Sequence, residues 1–451
     1  MNILIPVITG SEIRQFFLSS IASSIIDKGN NVFTIPKYNS SKIQEELILI
    51  DERIKILPHI LEPIDGTKFS YLRLLLDEVY DKKNIRWRYS SDSKRSKLFY
   101  LLINFFVLLF KLPYAFKFVS FIERRFMIQT NVINLVNLLT ENCIDKVIVS
   151  NARFLYYPEL LIACQKIKIP VEVVYHSNKE IYAQPRINYN YRKYGMWNEQ
   201  MLAHFAKKKP SIKNICEIIG NSHFTYLLNN DNLIPINEFK RDFNIQNDDI
   251  VILYTAAGVI VQNETNLVNW ISEFMDSKNL QYKIVVRKNP MDSTTTWDDY
   301  FVENTNVVIQ TPKWVNDTVS GLNFTKQDDL IEYNSLLSYA SFCINIPSTV
   351  TIECAIKKKP VINIAFDFPN LKVETNNKKI TQFWDAPFYR EFHDFDFVHP
   401  AFSIKQLGEQ IDKCMNLSLQ YKDYEKSIMQ ILGPNFDNTT DIIENFILSK
   451  K

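Results

Sequence analysis

At 451 residues the chain is long enough for two or three domains. Hydrophobic residues at 46% against 23% charged give the balance of a globular protein with sizeable cores, and a net charge of +2 argues against wholesale nucleic-acid binding. Neither G-x-G-x-x-G nor G-x-x-x-x-G-K-[ST] occurs among the nine glycines, which argues against a standard dinucleotide fold or a P-loop enzyme. The six cysteines form no C-x-x-C pair and the six histidines no H-E-x-x-H, so buried reduced thiols are expected and a structural metal site is not.

The chain opens MNILIPVITG, an apolar strand over 2–8, followed by helical periodicity over 12–27 and a second strand over 31–35. This is a βαβ opening. It lacks a basic n-region and a cleavage site, so the chain is expected in the cytoplasm. Glu12 falls in the loop after the first strand, beside Arg14. It is a candidate base, or else a first-turn glutamate that favours the helix dipole. Residues 98–110 read LFYLLINFFVLLF, thirteen residues without a charge, too few for a membrane span of about 20. Lys94, Arg95, Lys97, Lys111, Lys117, Arg124 and Arg125 bracket the run, and aromatic residues are interleaved with it. Basic flanks on an apolar, aromatic face suit a helix lying on an anionic membrane; a core helix with snorkelling lysines is the alternative.

Short buried strands are expected over 146–150, 170–175 and 215–219, with a helix over 158–166. His176 ends the second of these strands and is a candidate general base, the usual role of a cleft histidine. A polar stretch over 229–249 reads as a linker. A new series then begins, with strands over 250–255, 282–287 and 307–310 and a helix over 265–276. It closes with SFCINIPSTVTIECAIKKKPVINIAF over 341–366. There a strand over 342–346 stops at Pro347, Ser348 and Thr349 open a helix, and Val361 starts another strand. Small hydroxyls at a helix start can hold a phosphate, and Glu353, four residues on, shares a helix face with Thr349. A carboxylate there can accept from two vicinal ribose hydroxyls. The plainer alternative is an N-cap followed by a solvated glutamate. Two successive βα series predict an α/β protein of two doubly wound, Rossmann-like domains facing a central cleft. Their expected bounds are 1–235, with a membrane-proximal helical insertion around 94–125, and 245–435, with a terminal helix over 436–451.

The strand–Pro347-Ser348-Thr349–Glu353–Lys-Pro–strand unit resembles the nucleotide-sugar site of GT-B glycosyltransferases, in particular bacterial enzymes of surface-polysaccharide synthesis. VVYHSNKEI (173–181), MWNEQM (196–201), EIIGNSHF (217–224), VILYTAAG (251–258) and VVRKNP (285–290) resemble further segments of that group, in order. Two departures fall where acceptor and sugar are chosen. Asn178, Lys179 and Glu180 stand where Trp-Asp-Asn is common, and Arg287-Lys288-Asn289-Pro290 stands where Arg-x-His-Pro is common.

The resemblance implies a metal-independent glycosyltransferase that needs no cofactor and takes a nucleotide sugar as donor substrate. Its acceptor is then a lipid-linked or polysaccharide chain at the inner face of the cytoplasmic membrane. Ser348, Thr349, Arg287 and Lys288 would face the departing phosphates. Gly258 would let backbone approach them, and Glu353 would hold the ribose. Glu12 and His176 are the candidates for acceptor deprotonation. A CDP-glycerol-type polyol-phosphate transferase, a non-hydrolysing sugar-nucleotide epimerase and a nucleotide-binding scaffold with a decayed site are the competing readings.

Overall fold

The computed structural model describes residues 1–36, 40–58, 105, 121, 129–152, 158–178, 189–208, 210–258, 261–317, 322–368, 372–373, 380–386, 388–416 and 420–449. The expected interfacial helix at 98–110 and its flanks lie outside these residues, except Phe105 and Phe121, and so do Lys179 and Glu180. Among the described residues no helix is long and apolar enough to cross a membrane. The chain divides into two compact units. The first joins Met1–His223, Asn316–Phe324 and Asn435–Lys451; the second joins Phe224–Val315 and Thr325–Pro434.

The first unit is built on seven strands, β1 (Asn2–Leu4), β2 (Asn31–Thr34), β3 (Lys55–Ile56), β4 (Lys146–Val149), β5 (Val171–Val174), β6 (Lys193–Met196) and β7 (Cys216–Ile218). All neighbours are parallel, in the order β3-β2-β1-β4-β5-β6-β7. Every residue of β4, β5 and β6 is buried, as a parallel sheet covered on both faces requires. The first strand is shorter than its apolar run suggests, and beyond it Val7 only bridges Pro36. The helix expected over 12–27 is broken into Gly10–Glu12, a π-turn at Ile13–Phe17 and Ile21–Asp27. Ser20 between them takes φ 66°, and Ser19 Oγ bonds back to Gln15 O at 2.5 Å. Such i−4 bonds compete with the helical ladder and bend it.

The second unit's main sheet holds β8 (Ile250–Thr255), β10 (Tyr282–Arg287), β11 (Val307–Gln310), β14 (Phe342–Asn345), β15 (Val361–Ile364) and β17 (Val398–Ala401). They are parallel in the order β11-β10-β8-β14-β15-β17. Two further short pairs occur in the chain, β9 (Val261–Gln262) with β16 (Lys372–Val373) and β12 (Trp314–Asp317) with β13 (Leu322–Thr325). The helix Glu264–Ser277 lays Leu267, Val268, Ile271 and Met275 on Tyr254, Ile284 and Ile344. Burial of each such aliphatic side chain contributes roughly 1.5–3 kcal/mol. The stretch expected as a linker carries the helix Ile236–Asp242, whose buried Phe239 lies 4.8 Å from the Tyr339 ring.

Strands β6 and β17 have no sequence signature. β6 reads KYGM: its lysine pairs with Glu217 at 3.2 Å, and a Cβ on Gly195 would fall 2.0 Å from Ile219 Cδ1. β17 contains Pro400, which its position at the sheet edge tolerates.

Candidate functional site

In each sheet the strand order reverses once, between β1 and β4 in the first unit and between β8 and β14 in the second. Open α/β sheets bind ligands beyond the carboxyl ends of the strands at such a point. In the second unit Thr255 is in register with Asn345, so the loops 256–258 and 346–349 leave adjacent strand ends. Thr349 is the N-cap of the helix Val350–Ile356 but makes no side-chain cap bond, and it is exposed. Ser348 does the capping instead: its Oγ accepts from Val350 N at 3.3 Å and from Asn345 Nδ2 at 3.0 Å. Glu353 lies one turn in and is 4% exposed. Its carboxylate accepts from Tyr333 Oη at 2.6 Å and Tyr226 Oη at 3.3 Å. It is therefore a buried hydrogen-bond acceptor, not a solvated helix glutamate. Burial and the Glu353 charge hold the Tyr333 phenol protonated, well above its usual range.

Across the reversal point, Gly258 takes φ +68°, and a Cβ there would come within 2.3 Å of Asn289 Cβ. Only glycine fits that turn. The loop is pinned by Glu264, whose Oε2 accepts from Ala257 N at 3.0 Å and whose Oε1 accepts from Tyr254 Oη at 2.7 Å. Burial pushes this carboxyl up to about 7, against the pull of its hydrogen bonds. Glu264 escapes sequence reasoning, because it looks like any first-turn glutamate.

The two expected phosphate-binding cations are engaged inside the second unit. Arg287, 7% exposed, donates to Gln310 Oε1 at 2.8 Å and Asp329 Oδ2 at 2.7 Å, and its guanidinium lies 4.4 Å from the Tyr333 ring centre. Asp329 also accepts from Lys313 N at 2.8 Å and Trp314 Nε1 at 2.9 Å. Through Tyr333, Arg287 backs the Glu353 carboxylate. Lys288 donates to Thr294 O at 2.6 Å and pairs with Asp298 at 3.4 Å. It ties the segment after β10 to its own strand.

In the first unit Glu12, Ser150 and His176 come together at the ends of β1, β4 and β5. Glu12 is 1% exposed and completes a capping box with Thr9. Its Oε2 accepts from Thr9 N at 2.7 Å, while its Oε1 accepts from Ser150 Oγ at 2.5 Å, bridging the reversal point of this sheet. His176 Nδ1 lies 3.1 Å from Ser150 O. A carbonyl only accepts, so Nδ1 donates in this bond, which orients the ring. Burial first, then the Arg14 charge, lowers the His223 imidazole well below its usual range. Arg14 Nε in turn donates to His223 O at 3.0 Å.

Neither a family model nor a curated relative matches the chain. Solved structures do. UDP-GlcNAc 2-epimerase from Neisseria meningitidis, bound to UDP-GlcNAc, superposes with a TM-score of 0.57 at 14% identity over 99% of this chain and 100% of that one. The UDP-GlcNAc 2-epimerase from Methanocaldococcus jannaschii gives 0.56 at 14% identity, over all of both chains. A glycosyltransferase from Rickettsia africae gives 0.54 at 12% identity over 100% of this chain and 99% of that one. At such identities the likeness establishes the fold alone: two parallel, Rossmann-like α/β sheets of the GT-B type.

Proposed function

We propose that the chain acts on a nucleotide sugar and transfers the sugar to an acceptor of a surface polysaccharide or glycolipid. One observation carries this reading. Ser348 and Glu353 follow the strand at the reversal point of the second sheet, one turn apart, with Gly258 on the adjoining strand end. The Ser348 hydroxyl suits a phosphoryl oxygen, and a carboxylate one turn deeper suits vicinal hydroxyls. The similarity in fold to proteins named for UDP-GlcNAc and for glycosyl transfer agrees with this reading. Acceptor deprotonation falls to His176, whose Nε2 is free of the bond that orients its ring.

The test is a calorimetric titration with UDP-, GDP-, CMP- and dTDP-sugars, followed by transfer assays. One donor is expected to bind, and Glu353→Gln is expected to weaken it about tenfold or more, since a bond to a charged acceptor contributes roughly 1.5–3 kcal/mol. Tight binding that Glu353→Gln leaves unchanged would refute the assignment.

A second reading, epimerisation of the nucleotide sugar, is favoured by the epimerase structures that superpose over the whole chain. Inversion at the sugar carbon in the absence of any acceptor, followed by NMR, would select it over transfer. Membrane docking through residues 98–110 belongs to the transferase reading, because a lipid-linked acceptor resides at the membrane. Wild-type protein should float with anionic liposomes at low salt, and a Phe105→Glu/Leu108→Glu protein should stay at the bottom of the gradient. Equal flotation of both would remove the docking helix from the proposal.

A further inference from the structure

Beneath the Ser348 loop runs a set of hydrogen bonds with a single direction. Tyr389 Oη donates to Asn363 Oδ1 at 2.7 Å, and Asn363 Nδ2 donates to Asn345 Oδ1 at 2.5 Å. Asn345 Nδ2 donates in turn to Ser348 Oγ at 3.0 Å. The other hydrogen of Asn363 Nδ2 reaches Thr351 Oγ1 at 3.3 Å, and Thr351 Oγ1 lies 2.5 Å from Tyr389 Oη. Because the phenol proton goes to Asn363, the Thr351 hydroxyl is the donor in that last bond. Asn345, Asn363, Thr351 and Tyr389 are each at most 1% exposed, so water does not enter the arrangement.

An amide offers its oxygen on one side and its nitrogen on the other. Turning one member around sets donor against donor at the next, so the direction holds along the whole chain. At its end, Ser348 Oγ already accepts from Asn345 Nδ2 and Val350 N, which fills both lone pairs. What Ser348 retains is one proton, to be donated away from the network.

We propose that the Tyr389–Asn363–Asn345 chain fixes Ser348 as an outward hydrogen-bond donor and so selects a ligand group that only accepts, a phosphoryl oxygen. This inference rests on the nucleotide-sugar reading above. Asn345, Asn363 and Tyr389 are positioning residues: they act on the ligand through Ser348 and do not touch it.

Asn345→Asp tests the direction. A carboxylate still accepts from Asn363 but can only accept from Ser348, so it draws the serine proton inward. It also adds a charge that repels phosphate, and a double-mutant cycle with Ser348→Ala separates the two effects. UDP, GDP, CDP and dTDP are titrated by calorimetry into wild type, both single variants and the double variant. Each single change should weaken the nucleotide that wild type binds roughly tenfold, and the double variant should be within about twofold of Ser348→Ala. An equal loss from Asn345→Asp in both backgrounds means charge repulsion; it overturns the polarity mechanism and leaves the nucleotide reading standing. No binding of any of the four to wild type overturns both. If Asn345→Asp does not fold, Tyr389→Phe takes its place, freeing the direction without adding charge. It should weaken binding about threefold with Ser348 present and not at all with Ser348→Ala. An unchanged affinity for Tyr389→Phe with Ser348 present overturns the proposal.

Discussion

Glu172→Ala is expected to destabilise the first unit by about 3–5 kcal/mol, the cost of leaving a buried charge without its partner. Glu172 is 0% exposed and Lys146 2% exposed, and they pair at 3.3 Å. Burial pulls the Lys146 ammonium below its ordinary range, and the Glu172 charge opposes that pull. Arg192 closes on the same carboxylate. These cations also cap the helix Thr439–Leu448: Lys146 Nζ donates to Ile447 O at 2.5 Å and to Ser449 O at 3.0 Å, and Arg192 Nη2 donates to Ser449 O at 3.2 Å. Positive charge at a helix carboxyl end complements its dipole. Urea denaturation followed by circular dichroism measures the loss. Lys146→Met/Glu172→Leu should recover part of it, because no fully buried charge is left unpaired, while the partly exposed Arg192 keeps its bond to Ser449 O. A single variant as stable as wild type would deny the network any role in stability.

Stability should also fall as pH rises through neutrality, by about 3 kcal/mol from one group. Glu264 has a folded value raised from 4.5 to about 7. Below 4.5 it is protonated both folded and unfolded, so its favourable contribution is fully present. Between 4.5 and 7 the folded state holds the proton that the unfolded chain releases, and stability declines with pH; above 7 the loss is complete. Glu264→Gln removes the titration. Denaturation midpoints of both proteins from pH 4 to 8.5 should therefore diverge, with the variant gaining on wild type as pH rises. Parallel curves would show that the carboxyl is ionised throughout.

How much the sequence disclosed follows from the range of the forces involved. Strands β8 and β10 stand where the apolar runs put them, because a parallel strand buried on both faces needs an unbroken hydrophobic stretch, and the edge strand β11 keeps the same pattern. β6 and β17 were hidden because a paired lysine, a close-packed glycine and an edge proline are acceptable only in their tertiary setting. The break at Ser20 was hidden too, since apolar periodicity is silent on one left-handed residue. At the site, the Ser348–Glu353 spacing was legible as a local pattern. The groups that orient it were not, with Tyr226 meeting Glu353 across 127 residues of sequence and Tyr389 meeting Asn363 across 26. Arg287 and Lys288 looked like ligand cations because a strand-end basic pair carries no mark of the buried Asp329 and Thr294 carbonyl that engage them.

The C-terminal helix also bears on how the chain is made. The first unit consists of three separate stretches of chain, and its last one carries Glu444, which binds Ser24 Oγ at 2.5 Å, as well as the carbonyls that Lys146 and Arg192 cap. On the ribosome, Lys146 and Glu172 are therefore synthesised some three hundred residues before their cover, while the second unit has all of its sequence by Pro434. A truncation before Asn435 is thus expected to remove the third stretch of the first unit, with the caps on Lys146 and Arg192, while leaving the stretches of the second unit whole.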